Sequence, residues 1–200
     1  MNFILHRVNT IEKLRDCDPS YGVEVDIRSQ GDALVIHHDP FANGVSFEDW
    51  LAYYRHRTLI LNVKEEGLEE RLVRLMLEHQ IEDYFFLDQS FPFMIRWAEA
   101  VNGRCAVRIS EFESIQTALC VADLVNWAWI DCFTRFPINK IEAAQLQKAG
   151  LRLCIVSPEL HGRDETKIST MADQLTEHGV GFDAVCTKRP EVWRQVLDCR

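Results

Sequence analysis

The chain has 200 residues, of which 47% are hydrophobic, and a formal net charge of -9. This size and apolar content predict one globular domain spanning residues 1–200, and the acidic balance excludes a nucleic-acid surface, which requires clustered basic residues. No apolar run reaches the ~20 residues that span a bilayer, and the start, MNFILHRVNT, is unlike a signal peptide, so we expect a cytoplasmic protein without a transmembrane segment.

Short apolar runs alternate with segments of helical periodicity along the whole chain. The predicted strands are NFILHR, GVEVDIR, LILNVK, YFFLD, CAVRIS, LVNWAWID, LRLCIV and AVCT, in chain order. The predicted helices are SFEDWLAYYRHR with Ser46 as its N-cap, GLEERLVRLMLEHQ, FPFMIRWAEAVNG, NKIEAAQLQKAG, ETKISTMADQLTEHG and RPEVWRQVLDCR. Strand–helix alternation repeated about eight times indicates parallel βαβ units.

Eight such units can close into a barrel or lie open as a doubly wound sheet. The segment HRVNT after the first strand offers no glycine-rich phosphate loop, which disfavours the dinucleotide-binding fold. The sequence therefore predicts the α/β class and a (β/α)8 TIM barrel, compact because such barrels typically take ~250 residues. The segment DALVIHHDP follows the second strand after only SQG, too close for a crossover helix. We interpret it as an extra extended excursion at the barrel rim after strand 2.

Polar residues stand at the ends of nearly all the predicted strands, where a barrel of this kind has its active site. They are His6 and Arg7 after the first strand, Glu24 and Asp26 on the second, His38 and Asp39 in the excursion, Asn62 and Lys64 on the third, Asp88, Arg108 and Asp131 on the next three, Glu159 and His161 after the seventh, and Thr187 and Lys188 on the eighth. We therefore expect a polar site at one rim.

Glu24 and Asp26 are two positions apart on one predicted strand, so their side chains face the same way. Two neighbouring inward carboxylates repel each other unless a cation lies between them. Oxygen ligands suit a hard ion such as Mg²⁺ or Ca²⁺, to which Asn62 can add a carbonyl oxygen, while Lys64 can offer its charge to a phosphate. The alternative is that each acid pairs with an arginine such as Arg28 or Arg108.

Taken together, these residues resemble a known family. A His-Arg pair after the first strand, Glu-x-Asp on the second, His-Asp soon after, a staggered pair ending in lysine on the third, and DAVCTKRP near the end are similar to the pattern of glycerophosphodiester phosphodiesterases. Phosphatidylinositol-specific phospholipases C share the same barrel more distantly. The resemblance covers His6 to Pro190 and is specific in the first 64 residues and at the carboxyl terminus.

The resemblance implies a set of roles. Glu24, Asp26 and Asn62 would hold a divalent cation, His6 and His38 would act as the acid and base, and Arg7 and Lys64 would bind the phosphate. Histidine suits both proton-transfer roles because it titrates near neutrality. An acidic protein needs a local positive charge in order to attract an anionic substrate, and we expect Lys188 to add a third such charge to the phosphate side. The alternative for Lys188 is pairing with a rim acid such as Asp39.

Three features depart from the family pattern. Val8 stands where the family has a glycine, Asn62 replaces an acidic ligand, and the family's insertion after His-Asp is nearly absent. We therefore predict a metal-dependent phosphodiester hydrolase acting on a small soluble or sugar-linked phosphodiester. Two alternatives stay open: a weakly active or inactive relative that binds a phosphorylated ligand, and a metal-free cyclising lyase, which the retained Glu24 and Asp26 disfavour.

Overall fold

The structure, a computed structural model, describes residues 1–198. Its contacts group the chain into two compact units. The first, called here the His6–Cys105 unit, is one continuous segment. The second, called here the C-terminal unit, combines Met1–Leu5 with the chain from Ala106 onward. None of the helices within residues 1–198 is long and apolar enough to cross a bilayer.

The C-terminal unit contains a sheet in which all strands are parallel. Its strands are β1 (Asn2–Leu5), β7 (Ala106–Ile109), β8 (Trp127–Ile130), β9 (Arg152–Val156) and β10 (Ala184–Thr187), in the spatial order β1-β10-β9-β8-β7. Its helices are α5 (Ile115–Cys120), α6 (Lys140–Lys148), α7 (Thr166–Glu177) and α8 (Pro190–Asp198), with a 3-10 turn at Pro158–His161. The parallel strands require the helical crossovers that the alternating sequence pattern predicted.

The His6–Cys105 unit combines parallel and antiparallel pairing. Its strands are β2 (Gly22–Gln30), β3 (Ala33–Ile36), β4 (Val45–Ser46), β5 (Leu59–Val63) and β6 (Tyr84–Leu87), and its helices are α1 (Ile11–Asp16), α2 (Phe47–Leu51), α3 (Glu69–Glu78) and α4 (Phe91–Ala98). Strands β2, β5 and β6 pair in parallel, β3 pairs antiparallel with β2, and β4 pairs antiparallel with β3.

Burial and register in this unit fix the positions of the polar side chains. All five residues of β5 are buried, as expected of a parallel strand that is covered on both faces. The register of β2 against β5 sets Asp26 beside Asn62 and Glu24 beside Ile60. Ser46 caps α2 as predicted, since its side chain accepts a hydrogen bond from the Asp49 N–H group at 3.2 Å.

The predicted α/β class is confirmed, while closure into one (β/α)8 barrel stays a prediction. The segment predicted as an extended excursion contains β3, which is hydrogen-bonded along the end of β2. Its place at a barrel rim also stays a prediction, as does the single domain predicted for residues 1–200.

Glu111 ties together the loop after β8. Its carboxylate accepts hydrogen bonds from the N–H groups of Phe133 at 3.1 Å, Thr134 at 2.5 Å and Arg135 at 2.5 Å, and from the Thr134 hydroxyl at 2.8 Å. Partial burial raises the pKa of Glu111, but the hydrogen bonds from the Arg135 and Thr134 backbone outweigh it and lower the pKa to about 2.

We expect the change Glu111→Gln to lower stability in a pH-dependent way. A depressed folded-state pKa contributes stability that is present above the ordinary pKa of 4.5 and is lost as the pH falls through about 2. The melting temperature should therefore fall by about 2–4 °C at pH 7, equivalent to ~1 kcal/mol after allowing for solvent screening. The difference should shrink between pH 4.5 and pH 2. Thermal unfolding across this range, with Glu177→Gln as the control, checks it, and a pH-independent difference would contradict it.

Candidate active site

Two acids on β2 form the centre of a buried polar cluster in the His6–Cys105 unit. Glu24 and Asp26 are both fully buried, and strand alternation turns both side chains to the same face. Asn62 lies beside Asp26 on β5 and is 6% exposed. Because these carboxylates have no contact with solvent, the protein groups around each one determine whether it is charged.

Glu24 receives two hydrogen bonds. The Arg7 N–H group donates to its Oε2 at 2.7 Å, and Asn62 Nδ2 donates to its Oε1 at 2.8 Å. His6 Nε2 lies 3.9 Å from the same Oε2. Burial, and then the charge of Asp26, raise the pKa of Glu24 to about 7, because these effects outweigh the hydrogen bonds from Arg7 and Asn62 and the charge of Lys64. The acid pair is therefore only partly compensated by the protein.

Asp26 is held by a residue that the sequence did not single out. Asn9 Nδ2 donates to Asp26 Oδ2 at 2.8 Å, and Asn9 Oδ1 accepts from the Asp26 N–H group at 3.1 Å. Arg7 Nε lies 3.6 Å from the same Oδ2. Asn9 comes only three positions after His6, and this proximity is the one sequence signal that marks it.

Lys64 extends from the end of β5 into the cluster. Its Nζ donates to Asn62 Oδ1 at 2.7 Å and lies 3.1 Å from Asp26 Oδ1 and 3.3 Å from Asp88 Oδ2. The Lys64 side chain is only 15% exposed. Asp88 follows β6, and its contact with Lys64 gives it a place beside the cluster that the sequence suggested only as a rim position.

Two backbone conformations in the cluster are unusual. Arg7 has a φ of 53° and Asp88 a φ of 62°, in the left-handed region that residues other than glycine rarely adopt. At Arg7 the result is an N–H group directed at Glu24. The loop is fixed further by the Trp50 indole N–H group, which donates to the Val8 carbonyl at 3.0 Å. Strain of this kind is typical of functional sites.

His38 follows β3, and its side chain is 40% exposed. Its Nδ1 lies 2.8 Å from Asp39 Oδ1, and its carbonyl accepts hydrogen bonds from Arg28 Nε and Nη2 at 3.1 Å and 2.9 Å. The hydrogen bond with His38 is the main reason why the pKa of Asp39 is lowered, and the nearby Arg7 charge contributes in the same direction.

The structure brings six of the predicted site residues into one cluster: His6, Arg7, Glu24, Asp26, Asn62 and Lys64. His38 belongs to the same unit and contacts Asp39. Lys188 belongs to the C-terminal unit, where its N–H group donates to Glu159 Oε1 at 2.9 Å and its side chain is exposed. The predicted roles of all these residues in binding and catalysis stay predictions.

The C-terminal unit has its own polar cluster. Asp131 is buried and accepts hydrogen bonds from Arg108 Nη1 at 2.5 Å, while His161 Nε2 lies 2.6 Å from its other oxygen. Arg108 thus pairs with Asp131, an acid of its own unit. This contact does not support the alternative in which Arg108 pairs with Glu24 or Asp26.

The donor chemistry of the acid cluster fits a hard cation. Asp26 Oδ1 is buried and accepts no hydrogen bond, since its contact with Lys64 at 3.1 Å is an ion pair without hydrogen-bond geometry. Within residues 1–198 there is no group of three or more histidine, cysteine, aspartate or glutamate side chains arranged to hold a metal. A cation here would therefore need the amide oxygen of Asn62 besides Glu24 and Asp26.

Comparison with known proteins shows likeness in fold only. No protein-family model and no curated protein sequence matches the chain. A solved structure assigned as a glycerophosphoryl diester phosphodiesterase of Agrobacterium tumefaciens strain C58 has a TM-score of 0.70 at 16% identity, covering 100% of this chain and 98% of that one. A glycerophosphodiester phosphodiesterase of the same strain has a TM-score of 0.68 at 12% identity, covering 98% and 99%.

A glycerophosphoryl diester phosphodiesterase from Parabacteroides distasonis also has a TM-score of 0.68, at 14% identity, covering 99% of this chain and 86% of that one. At these identities the likeness defines the fold. The chain therefore has the mixed α/β fold of glycerophosphodiester phosphodiesterase structures along nearly its whole length, which confirms in fold the resemblance found in the sequence.

Proposed function

We propose that this protein is a phosphodiester hydrolase that acts on a small soluble or sugar-linked phosphodiester. The observation that carries the proposal is that His6, Arg7 and Lys64 gather around the buried acids Glu24 and Asp26. These residue types supply what the reaction needs, namely proton transfer and positive charge around a phosphate. The likeness to three phosphodiesterase structures supports the same reaction class.

His6 and His38 would divide the proton transfers. One histidine takes a proton from the attacking hydroxyl, either water or a substrate hydroxyl next to the phosphate, as the new P–O bond forms. Attack by a substrate hydroxyl would give a cyclic phosphate, which water would then open in a second step. The other gives a proton to the leaving alkoxide as the old P–O bond breaks. Arg7 and Lys64 would bind the phosphate oxygens, and Lys188 would add a further positive charge. Arg7 suits this role because its side chain is 40% exposed beside the buried acids.

A divalent cation, Mg²⁺ or Ca²⁺, would be held by Glu24, Asp26 and Asn62. When bound it would supply positive charge to the phosphate oxygens. Two acids buried side by side on β2 support such a site, and Asp26 Oδ1 accepts no hydrogen bond. The amide at Asn62 should make the site weaker than one with three carboxylates, because one formal charge is missing.

A second function fits one specific observation. Asn62 Oδ1 and Asp26 Oδ1 both contact Lys64 Nζ, so these two oxygen atoms have a positively charged partner without a metal. A protein in this state could bind a phosphorylated ligand without cleaving it.

The two functions are separated by a hydrolysis assay. The purified protein would be incubated with bis(p-nitrophenyl) phosphate and a panel of glycerophosphodiesters that differ in head group, with Mg²⁺, Ca²⁺ or Mn²⁺. We expect release of p-nitrophenol and of at least one head group above the rate of a His6→Ala, His38→Ala double variant. If a metal binds but no phosphodiester in the panel is cleaved, the binding function is the correct one.

A further inference from the structure

The ammonium group of Lys64 lies in a set of oxygen atoms like the one that surrounds a bound cation. Its three partners are Asn62 Oδ1 at 2.7 Å, Asp26 Oδ1 at 3.1 Å and Asp88 Oδ2 at 3.3 Å. These three oxygen atoms are called the oxygen pocket here. Two of them belong to side chains that would also hold the divalent cation of the proposed function.

The same oxygen atoms cannot serve both cations at once. Lys64 orients the Asn62 amide so that Oδ1 accepts from Nζ while Nδ2 donates to Glu24 Oε1 at 2.8 Å. A divalent ion bound to Asn62 Oδ1 and Asp26 Oδ1 would lie within a few ångströms of the ammonium group, where like charges in a poorly solvated site repel strongly. The ion can therefore bind only if Lys64 leaves the oxygen pocket.

Position and charge explain what the released lysine would do. Lys64 is attached at the end of β5 and keeps 15% of its side chain exposed, so its long side chain has room to turn toward solvent. The three carboxylates of Glu24, Asp26 and Asp88 exceed the two positive charges of Arg7 and Lys64. An anionic ligand needs the balance reversed, and a divalent ion combined with a released lysine would reverse it.

We propose that Lys64 is a tethered cation that fills the oxygen pocket until a divalent ion displaces it, and that the displaced ammonium group then binds the phosphate of the ligand. Ion binding and phosphate binding are coupled through this one side chain. The inference rests on the proposed function for the identity of the anion, but the competition between Lys64 and the ion concerns the protein and the metal alone.

The test is ion binding without substrate. Mn²⁺, Mg²⁺ and Ca²⁺ would be titrated into the wild type and Lys64→Met by calorimetry, with melting temperature as a second readout. We expect Lys64→Met to bind the ion about tenfold tighter or better, because the competing ammonium group is gone. Lys148→Met, which removes an exposed lysine on α6, should leave the affinity unchanged. Lys64→Gln keeps a hydrogen-bond donor for the oxygen pocket and serves if the methionine variant does not fold.

The coupling is measured by repeating the titration with inorganic phosphate. Phosphate should tighten ion binding in the wild type, and linkage requires the ion to tighten phosphate binding by the same factor. The factor should be smaller in Lys64→Met, where only the direct attraction between ion and phosphate is left. If phosphate tightens ion binding by the same factor in the wild type and in Lys64→Met, Lys64 does not move from the oxygen pocket to the phosphate.

Unchanged or weaker ion binding by Lys64→Met would overturn the inference. Hydrolysis by the wild type that persists in a chelator and is lost in Lys64→Met would also overturn it, because Lys64 would then be a permanent replacement for the metal while phosphodiester hydrolysis stands. Tighter ion binding by Lys64→Met together with no hydrolysis of any phosphodiester would support the competition and refute the proposed function. The two failures are therefore distinguishable.

Discussion

Replacing either His6 or His38 by alanine is expected to lower the turnover of an activated phosphodiester by about a hundredfold or more, the usual contribution of one general acid or base. The loss should be in turnover, since neither side chain is proposed to hold the phosphate. Both variants should remain folded, because the two side chains are 14% and 40% exposed and lie outside the hydrophobic core. Steady-state kinetics on bis(p-nitrophenyl) phosphate, with melting curves for each variant, checks this.

His79 provides the matched control for the histidine pair. It is exposed at the C-terminal end of α3, and its replacement by alanine should leave turnover unchanged. Full activity in His38→Ala would remove the proposed division of roles. If only His6→Ala is inactive, a group other than His38 must make the second proton transfer. The pH dependence of turnover in His38→Ala would then show whether the acidic or the basic limb of the profile is unchanged.

Millimolar Mg²⁺, Ca²⁺ or Mn²⁺ is expected to raise the melting temperature of the wild type, and Glu24→Gln is expected to abolish that rise. An ion that binds only the folded protein stabilises it by about 2.7 kcal/mol when present at a hundredfold excess over its dissociation constant. For a chain of this length, that corresponds to a shift of roughly 5–10 °C. Each protein is compared with its own metal-free melting temperature, so a change in basal stability does not affect the result.

Glu70→Gln controls for the loss of one negative charge, because the Glu70 side chain on α3 is 79% exposed and lies 3.9 Å from Arg74 Nη2 on the same helix. Its metal-induced shift should match that of the wild type. Asn62→Asp should increase the shift, since it returns a formal charge to the ligand set. The metal site has no basis if none of the three ions changes the melting temperature of the wild type.

Local periodicity was enough to predict the α/β class and the direction of the acid side chains. Alternation along a strand requires Glu24 and Asp26 to face the same side wherever the strand is packed, and both are buried on one face of β2. Repeated strand–helix units likewise predicted parallel strands, which both units contain. These inferences held because they depend on residues only a few positions apart.

The partners of the acids depend instead on register and loop conformation. The β2–β5 register brings Asn62 to Asp26, and the left-handed turn at Arg7 directs an N–H group at Glu24. Neither can be read from the chain, because register is set by packing of whole strands and the turn by its surroundings. The contacts of Asn9 with Asp26 and of Asp88 with Lys64 likewise depend on loop conformation and strand packing.

The sequence by itself determined which side chains are available. They are two acids two positions apart on one strand, two histidines, and a lysine two positions after an amide at the end of another strand. Only the tertiary structure decided how their charges are satisfied. Lys64 was predicted to offer its charge to a phosphate, and the structure shows its Nζ in contact with Asn62 and Asp26 within the cluster. A buried carboxylate attracts a nearby ammonium group, because leaving a buried charge unpaired costs more than restraining a flexible side chain.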